Sequence, residues 1–430
     1  MADIGSRPPH SVAIVSATAP FPPDTGKKVV VAGLVEYWIT RVGQENVHYV
    51  LVAPPDATGA GFPVPVRLIR SPSVGEQCAA VAFRTVATRR HALQESVLYA
   101  RRIRRELDRI LAEIDADLEI YDTVRLGQYA NDLAARADKR RMVYLDDLFS
   151  RRYARMRAAM RDGNGVRFDA LGEFRTFIPR PLRPIAEAPA VQHALLGLEQ
   201  HLVARRELAA VKDFHTCLLV NFEEAAHLTD RTGADNVAVL PPLVDADRAI
   251  APRRAHGSQF VFLGRMTLPH NHDAVATFLR NHMSELVHQV PGALLRIIGG
   301  GPRPELRSLA ARWGDRVRFD GYVADLDRVL SQSCAMVSPI RFGSGVKLKV
   351  LDALARGVPV VSTSIGAEGI AAGPEHGVLV EDDLARHPRL MRTLTDRDYN
   401  AQVSRAARAH FDAVYSRAAV FRQYDEIFGF

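Results

Sequence analysis

Lysine is scarce in this sequence of 430 residues, because only six of its 56 basic residues are lysines. Cysteine is scarcer still. Cys78, Cys217 and Cys334 lie far apart and are odd in number, which excludes a disulfide framework and a C-x-x-C metal site. Unpaired cysteines are typical of a reducing compartment, so we expect a cytoplasmic protein.

Long apolar runs and aromatic residues are also few. No apolar run approaches the roughly 18 residues of a membrane span. The N-terminus is short and polar and leads directly into a strand pattern, which predicts no signal peptide. Aromatic residues make up 7% of the chain and do not interleave with the arginines, so the sequence does not indicate a nucleic-acid-binding protein. The net charge of +7 permits an anionic ligand or an anionic membrane surface.

The length and the pattern of apolar runs predict two domains. Short apolar runs alternate with helical patterns twice along the chain, and this alternation predicts α/β domains, each a doubly wound parallel sheet, facing a cleft. The pair Pro241-Pro242 is typical of an interdomain hinge. We therefore expect a first domain over residues 1–243, a second over 244–405, and a C-terminal helix over 406–430 that crosses back to the first.

Two segments of the first domain depart from simple alternation. The stretch from about Gln77 to Ile114 reads as a long helix with many arginines. These charges fit a solvated helix face or a basic surface that lies against anionic lipid headgroups. The arginine-rich residues 150–190 read as an irregular helical insertion, and insertions of this kind often shape an acceptor site. Acidic residues end two of the predicted strands, at Asp122 and Asp146, where they fit equally a ligand cleft or structural ion pairs.

A glycine-rich loop in the second half is the clearest candidate site. Gly343, Ser344 and Gly345 follow a strand pattern and precede a helical one, so backbone N–H groups there are able to approach a ligand closely. Lys347 and Lys349 follow at the positive end of that helix, where cations lower stability unless an anion offsets them. The loop therefore predicts a phosphate site.

Six features in this order resemble the donor-binding domain of the retaining glycosyltransferase family 4 (glycosyl transferases group 1), which has the GT-B fold. The resemblance covers about residues 259–372 and is looser in the first half of the chain. The features are Gly264-Arg265, Ile298-Gly299-Gly300-Gly301-Pro302, Phe319-Asp320-Gly321, the segment from Pro339 to Ala353, Gly357-Val358-Pro359-Val360-Val361 and Gly366-Ala367-Glu368-Gly369-Ile370.

The resemblance implies an enzyme that moves a sugar from a nucleotide-diphospho-sugar to an acceptor with retention of configuration. The donor would bind the second domain, and the first would hold a glycan, lipid-linked or small-molecule acceptor. No cofactor or metal is expected, because protein cations stabilise the leaving diphosphate. We assign that role to Arg265 and Lys347. The resemblance places further donor contacts at Gly264, Gly300, Gly301, Gly343, Ser344, Gly345, Val346, Lys349 and Asp352, and in the first domain at Gly26 and Lys27.

The sequence departs from the family pattern at several of these positions. Ser344 stands where the first acid of a Glu-x7-Glu pair is usual, and Asp352 shortens the second. Asn271 stands where many members have a lysine. We hypothesise that Lys347 supplies that charge, and we expect Lys349 to point elsewhere. Lys27 replaces the second residue of a Gly-Gly pair, which predicts either an added phosphate contact or an acceptor that comes less close to the backbone.

Two other interpretations remain open at this point. The missing first acid allows a catalytically degenerate protein that acts as a binding partner or scaffold. The same architecture also serves nucleotide-sugar epimerases and glycogen-type phosphorylases. An epimerase needs acid and base residues that the sequence does not indicate, and a phosphorylase needs a pyridoxal lysine and a much longer chain. The family resemblance favours a transferase that acts in cell-surface polysaccharide or natural-product glycan synthesis.

Overall fold

The structure is a computed structural model, and it divides the chain into two compact units. One unit comprises Met1–Pro242 together with Phe421–Phe430, and the other comprises Leu243–Val420. The expected segment 406–430 is therefore split, because Ala407, Phe411 and Tyr415 pack into a core of the second unit. The residues that the structure describes are 8–57, 61–130, 139–161, 188–244 and 257–430.

The first unit is built on a sheet of seven strands in the order β3-β2-β1-β4-β5-β6-β7, and all neighbouring strands are parallel. Its central strands are short apolar runs that are buried along their whole length, as strands of a parallel sheet covered on both faces must be. The strands are β1 Val12–Ser16, β2 Val47–Ala53, β3 Val66–Arg70, β4 Leu118–Asp122, β5 Arg140–Asp146, β6 Thr216–Leu219 and β7 Val237–Val239.

The helices of the first unit differ from the sequence prediction in one place. The long helix expected over Gln77–Ile114 is broken into separate pieces, and Arg89 takes a left-handed backbone conformation at one of the breaks (φ 51°). Most of the insertion expected over 150–190 lies outside the described residues. The helices are α1 Gly26–Val42, α2 Val74–Ala80, which continues as a π-helix over Val81–Ala87, α3 Leu93–Ser96, α4 Arg101–Ile114, α5 Thr123–Gly127, α6 Phe149–Arg161, α7 Pro189–Asp213 and α8 Phe222–Thr232.

The second unit is built on a six-stranded parallel sheet in the order β10-β9-β8-β11-β12-β13. The strands are β8 Gln259–Leu263, β9 Leu294–Ile298, β10 Val317–Gly321, β11 Ala335–Ser338, β12 Val360–Ser362 and β13 Val378–Val380. The helices are α9 Pro269–Asn281, α10 Met283–Gln289, α11 Pro304–Ala311, α12 Leu326–Ser331, α13 Leu348–Ala355, α14 His387–Thr393, α15 Arg397–Val414 and α16 Arg417–Phe428.

Most of α16 packs on the first unit through aromatic and charged contacts with α1. The ring of Tyr37 lies 5.1 Å from that of Tyr424, and the hydroxyl of Tyr37 donates to Asp425 over 2.9 Å. Arg41 makes a bidentate pair with the same carboxylate, at 2.7 and 2.6 Å. These contacts explain why the end of the chain belongs to the unit that contains its beginning.

Both sheets are doubly wound, as the sequence predicts. The strand order reverses between β1 and β4 in the first sheet and between β8 and β11 in the second. In open α/β sheets, ligands bind outside the carboxyl ends of the strands at such a switch point. The topology therefore marks one edge of each sheet as the place to look for a site. Among the described residues, no helix is both long and apolar enough to cross a membrane.

Candidate functional site

Glycine loops follow three neighbouring strands at the carboxyl edge of the second sheet. The amide of Gly264, after β8, donates to Ile298, and the amide of Met266 donates to Gly300, both over 2.9 Å. A Cβ at Gly299 would collide with the carbonyl oxygen of Gly264. Glycine at 299 therefore allows the β8 and β9 loops to lie against each other, and both loops are part of the predicted donor site.

The Gly343–Gly345 loop lies on the other side of the switch point, between β11 and α13. Its two glycines have positive φ angles of 124° and 78°, which other residues rarely adopt. Helix α13 begins at Leu348 with Lys347 as its N-cap, two residues later than the sequence pattern suggested. Lys347 is therefore outside the first helical turn, and Lys349 is within it.

The two lysines take different roles from those expected. The ammonium of Lys347 folds back onto its own loop and donates to the carbonyl oxygens of Ser344, at 3.1 Å, and Gly345, at 2.6 Å. The ammonium of Lys349 donates to Asn271 Oδ1 at 2.9 Å and lies 4.3 Å from the ring centroid of Phe262. The expectation that Lys349 points elsewhere is wrong. Lys349, and not Lys347, places its charge beside Asn271.

Asn271 joins the two sides of the switch point. Its side chain is buried, and its amide nitrogen donates to the Arg265 carbonyl oxygen over 3.1 Å while its Oδ1 accepts from Lys349. The Arg265 side chain is exposed and makes no ion pair within the described residues. Arg265, through its backbone, thus forms one connected cluster with Asn271 and Lys349, and the role of this cluster in donor binding stays a prediction.

Two basic groups near this cluster have lowered pKa values, and burial is the main cause in both. Burial, together with the charge of Lys347, lowers the pKa of Lys349 to about 7. Burial and the charges of Lys349 and Lys347 lower the pKa of His270 to about 4. Cations held near one another in a desolvated place raise the affinity for an anion, because the anion removes their mutual repulsion. Sequence reasoning missed His270. Its position directly after Pro269, in the first turn of a helix beside the glycine loops, was the available signal.

Asp352, the shortened second acid, lies on α13 next to Arg356. The guanidinium of Arg356 donates to the Asp352 carboxylate over 3.2 Å and to Asp327 over 2.5 Å. The carboxylate of Asp352 is 34% exposed, so it retains surface for a hydroxyl donor. Its contact with a ribose stays a prediction.

In the first unit, Gly26 begins α1 at the β1/β4 switch point, and Lys27 follows it. The Lys27 ammonium lies 2.7 Å from Asp122 Oδ1 at the end of β4, and Ser16 at the end of β1 donates to the other oxygen over 2.6 Å. Asp122 is buried and Lys27 is 24% exposed. The lysine charge is therefore compensated by a carboxylate within the protein, and the phosphate contact of Lys27 stays a prediction.

Asp146 ends β5 at the same edge of the sheet. Its backbone has a positive φ of 70°, and its Oδ1 accepts from Tyr144 over 2.8 Å. Desolvation raises the pKa of this carboxyl, and the charge of Lys27 opposes the rise. The next residue, Asp147, pairs with Arg152 at 3.0 Å. The acids at these strand ends thus form ion pairs and hydrogen bonds within the protein, and a role in a ligand cleft stays a prediction. Among the described residues, no group of three or more His, Cys, Asp or Glu side chains is arranged to hold a metal ion.

The site was compared with known proteins. Residues 257–395 match the family model for glycosyl transferases group 1. An uncharacterized 44.6 kDa protein in the cps region of Klebsiella pneumoniae is 30% identical over 143 residues, and a phosphatidyl-myo-inositol mannosyltransferase of Mycobacterium tuberculosis is 30% identical over 142 residues. Each match covers 31% of this chain and 36% of the relative, so the matched stretch spans little more than a third of these relatives.

Solved structures resemble the chain over almost its whole length. Sucrose-phosphate synthase from Thermosynechococcus elongatus has a TM-score of 0.62 at 16% identity, and Anabaena HepE in complex with UDP has 0.60 at 12% identity. In both cases 97% of this chain and 98% of the other chain are covered. At such identities the likeness shows the fold alone, and it confirms the predicted GT-B class with two Rossmann-like domains.

Taken together, residues 257–395 of the second unit are similar to the glycosyl transferases of group 1. The matched residues include the three glycine loops and both Lys347 and Lys349. The resemblance seen in the motifs is thereby confirmed at the level of group 1. Retention of configuration and membership of family 4 go beyond this match.

Proposed function

We propose that this protein is a glycosyltransferase that moves a sugar from a nucleoside-diphosphate sugar to a hydroxyl acceptor with retention of configuration. The observation that carries the proposal is the Lys349 ammonium, which Asn271 holds beside the glycine loops at the switch point of the second sheet. A diphosphate is an anion of the right size to be held by such loops and cations together.

The cluster has a clear part in this reaction. When the glycosidic bond to the diphosphate breaks, negative charge develops on the leaving phosphate oxygen. Lys349 and the exposed guanidinium of Arg265 would offset that charge, with Lys347 holding the Gly343–Gly345 loop in shape. No side chain needs to move far, because Asn271 already fixes Lys349 relative to the Arg265 backbone. Fixed charges of this kind stabilise a transition state without reorganisation.

The acceptor would bind the first unit at its own switch point. Lys27 is partly exposed at the carboxyl ends of β1 and β4, where the buried carboxylate of Asp122 holds its ammonium, and it is a hydrogen-bond donor suited to a hydroxyl-bearing ligand. The relatives are named for a cps region and for phosphatidyl-myo-inositol, and a cell-surface glycan or a lipid-linked acceptor is consistent with those names.

A donor screen tests the proposal. Thermal shifts would be measured with UDP-, GDP-, TDP- and ADP-sugars, followed by transfer and donor-hydrolysis assays with the best binder. A large shift with one base, transfer activity, and a product with the donor's anomeric configuration would support it. UDP is a reasonable first choice, because the structurally similar HepE was solved with UDP-glucose.

A second candidate function rests on Ser344, which stands where the family has an acid. A catalytically degenerate protein that binds a donor or a partner without transferring sugar would retain the loops and lack the chemistry. Donor binding without transfer or hydrolysis would favour this candidate. The absence of binding to any of the four donors would contradict the transferase proposal.

A further inference from the structure

The segment formed by α2 and its π-helical continuation, Val74–Ala87, is oriented with its polar side inward. Gln77 and Thr85 are buried, and the Thr85 hydroxyl donates to Ser96 over 2.8 Å. On the outer side, Val74, Phe83 and Val86 are 64%, 67% and 62% exposed. An amphipathic helix on a soluble core normally has the reverse arrangement, so the outer side of this segment requires an explanation.

The other exposed residues on the outer side of this segment carry no charge. Between the three large apolar side chains, the exposed residues are small or apolar: Gly75, Cys78, Ala79, Ala82 and Ala87. We call this set, with Val74, Phe83 and Val86, the apolar face. Contiguous exposed apolar surface of this kind marks contact with another molecule more often than chance exposure of single residues does.

Contacts near both ends of the segment Val74–Ala87 hold the helix that carries the apolar face in place. Ser73 and Glu76 form a capping box at the start of α2. Arg102 of α4 donates to Glu76 at 3.0 Å and to the Arg70 carbonyl at 2.7 Å. Near the other end, the guanidinium carbon of Arg84 lies 3.5 Å from the centroid of the Tyr99 ring. The outward orientation of the apolar side chains is therefore fixed by contacts at both ends of the segment.

Exposed arginines adjoin both ends of the apolar face. Arg89 and Arg90 lie just after the end of the segment. Arg101 begins α4, and the next residue, Arg102, donates a hydrogen bond to Glu76 near the start of the segment. Arg89, Arg90 and Arg101 are exposed and make no ion pair with an acid among the described residues. Glu76, the acid nearest the start of the segment, is already paired with Arg102. Positive charge thus surrounds an uncharged surface.

We propose that the apolar face docks on a lipid bilayer with anionic headgroups. Phe83, Val74 and Val86 would enter the boundary between headgroups and acyl chains, and the arginines would lie at the level of the headgroup phosphates. An apolar patch edged with basic residues fits this partner better than a second copy of the chain, since two copies would bring the same arginines together. This inference does not depend on the proposed transfer activity.

Vesicle binding of the full chain tests the proposal. Sedimentation with vesicles of phosphatidylcholine alone would be compared with vesicles in which about a third of the lipid is phosphatidylglycerol. We expect binding to the anionic vesicles at low salt, at least tenfold weaker binding to the neutral ones, and weakening as salt rises. The double variant F83S/V86S should lose at least tenfold in partitioning. F222S is the matched control, because Phe222 is also exposed, at 47%, and lies on α8.

Cys78 supplies a second measurement, because it is exposed on the apolar face while the other two cysteines are buried. A polarity-sensitive fluorophore attached to Cys78 should shift its emission to the blue with anionic vesicles, and R89E/R90E should reduce that shift. Equal binding of wild type and F83S/V86S, or no binding to either vesicle, would overturn the proposal. A monomer–dimer equilibrium that F83S/V86S abolishes would also overturn it, since a second copy would then be the occupant. Donor binding, measured in parallel, reports separately on the transferase function.

Discussion

The Lys349 ammonium lies 2.9 Å from Asn271 Oδ1, and the amide nitrogen of the same asparagine donates to the Arg265 carbonyl oxygen. Asn271 stands in the sequence where many members of the family have a lysine, and here it binds the ammonium of a lysine on another helix. The asparagine orients the ammonium and adds no charge of its own. The charge of the site therefore depends on the protonation of Lys349, whose pKa is lowered to about 7.

The first prediction is that donor affinity falls as pH rises above 7. A bound diphosphate favours the protonated form of Lys349, so its pKa is higher in the complex than in the free protein. Below pH 7 the free protein already carries the charge and affinity is maximal. Above pH 7 the complex must take up a proton, and affinity falls by up to about tenfold per pH unit. Calorimetry with a nucleotide sugar between pH 6 and 9 would measure this.

Variants of Lys349 provide the controls for that pH dependence. Lys349→Arg should bind the donor with little change over the same range, because arginine remains protonated. Lys349→Met should bind weakly at every pH, and Lys212→Met, an exposed lysine of the first unit, should behave as wild type. A steep decline that persists in Lys349→Met would assign the titration to another group.

The second prediction concerns Lys347, which holds the carbonyl oxygens of Ser344 and Gly345. Lys347→Ala should weaken donor binding about tenfold, which corresponds to about 1.4 kcal/mol, by loosening the loop and removing a nearby charge. It should also move the pH at which affinity begins to fall to a higher value, because the charge of Lys347 helps to lower the pKa of Lys349. If calorimetry shows that Lys347→Ala binds the donor as tightly as wild type, the loop does not depend on the Lys347 ammonium for donor binding.

The sequence predicts the loops and secondary structure of this site but not the side-chain contacts within it. The glycines after β8, β9 and β11 and the alternation of strands and helices follow from local patterns, and the structure agrees with them. The directions of Lys347 and Lys349 depend on where α13 begins. A helix that starts at Leu348 rather than at Val346 changes which lysine lies in the first turn. Local patterns do not fix a helix start to within two residues.

The burial of two acids in the first unit could not be predicted from the sequence, and the reason is different. Glu199 and Glu207 lie on α7, and both are buried. Glu199 accepts from the backbone of Leu93 at 2.6 Å, and Glu207 accepts from the backbone of Ser150 at 3.2 Å. Their partners are more than 50 positions away in sequence, so no local pattern indicates them.

The third prediction follows from those buried acids. Burial raises the pKa of Glu207 to about 8 and that of Glu199 to about 7, above the ordinary value of 4.5. The folded protein keeps these protons while the unfolded chain releases them, so both acids lower the free energy of unfolding as pH rises from about 4.5 to 8. Glu207→Gln removes one of these titrations. In urea unfolding, the free energy of unfolding of Glu207→Gln minus that of wild type should increase steadily from pH 5.5 to pH 8.

A matched control separates this effect from a general change in charge. Glu113→Gln removes an acid of the exposed pair with Arg109, where an ion pair contributes little. Its difference from wild type should be small and nearly independent of pH. If the difference between Glu207→Gln and wild type is the same at pH 5.5 and 8, the carboxyl of Glu207 does not titrate in this range and the prediction is wrong.

The fourth prediction concerns the pair at the switch point of the first unit. Lys27→Met would leave the buried carboxylate of Asp122 without its cation, with only the Ser16 hydroxyl as a close donor. Removing one member of such a pair costs about 3 kcal/mol of unfolding free energy. The double variant K27M/D122N replaces the carboxylate by a neutral amide that still accepts from Ser16, so most of that loss should be recovered. Urea unfolding of the two single variants and the double variant measures the coupling directly. Equal destabilisation of Lys27→Met and the double variant would mean that the buried carboxylate costs nothing without its cation, and the prediction would be wrong.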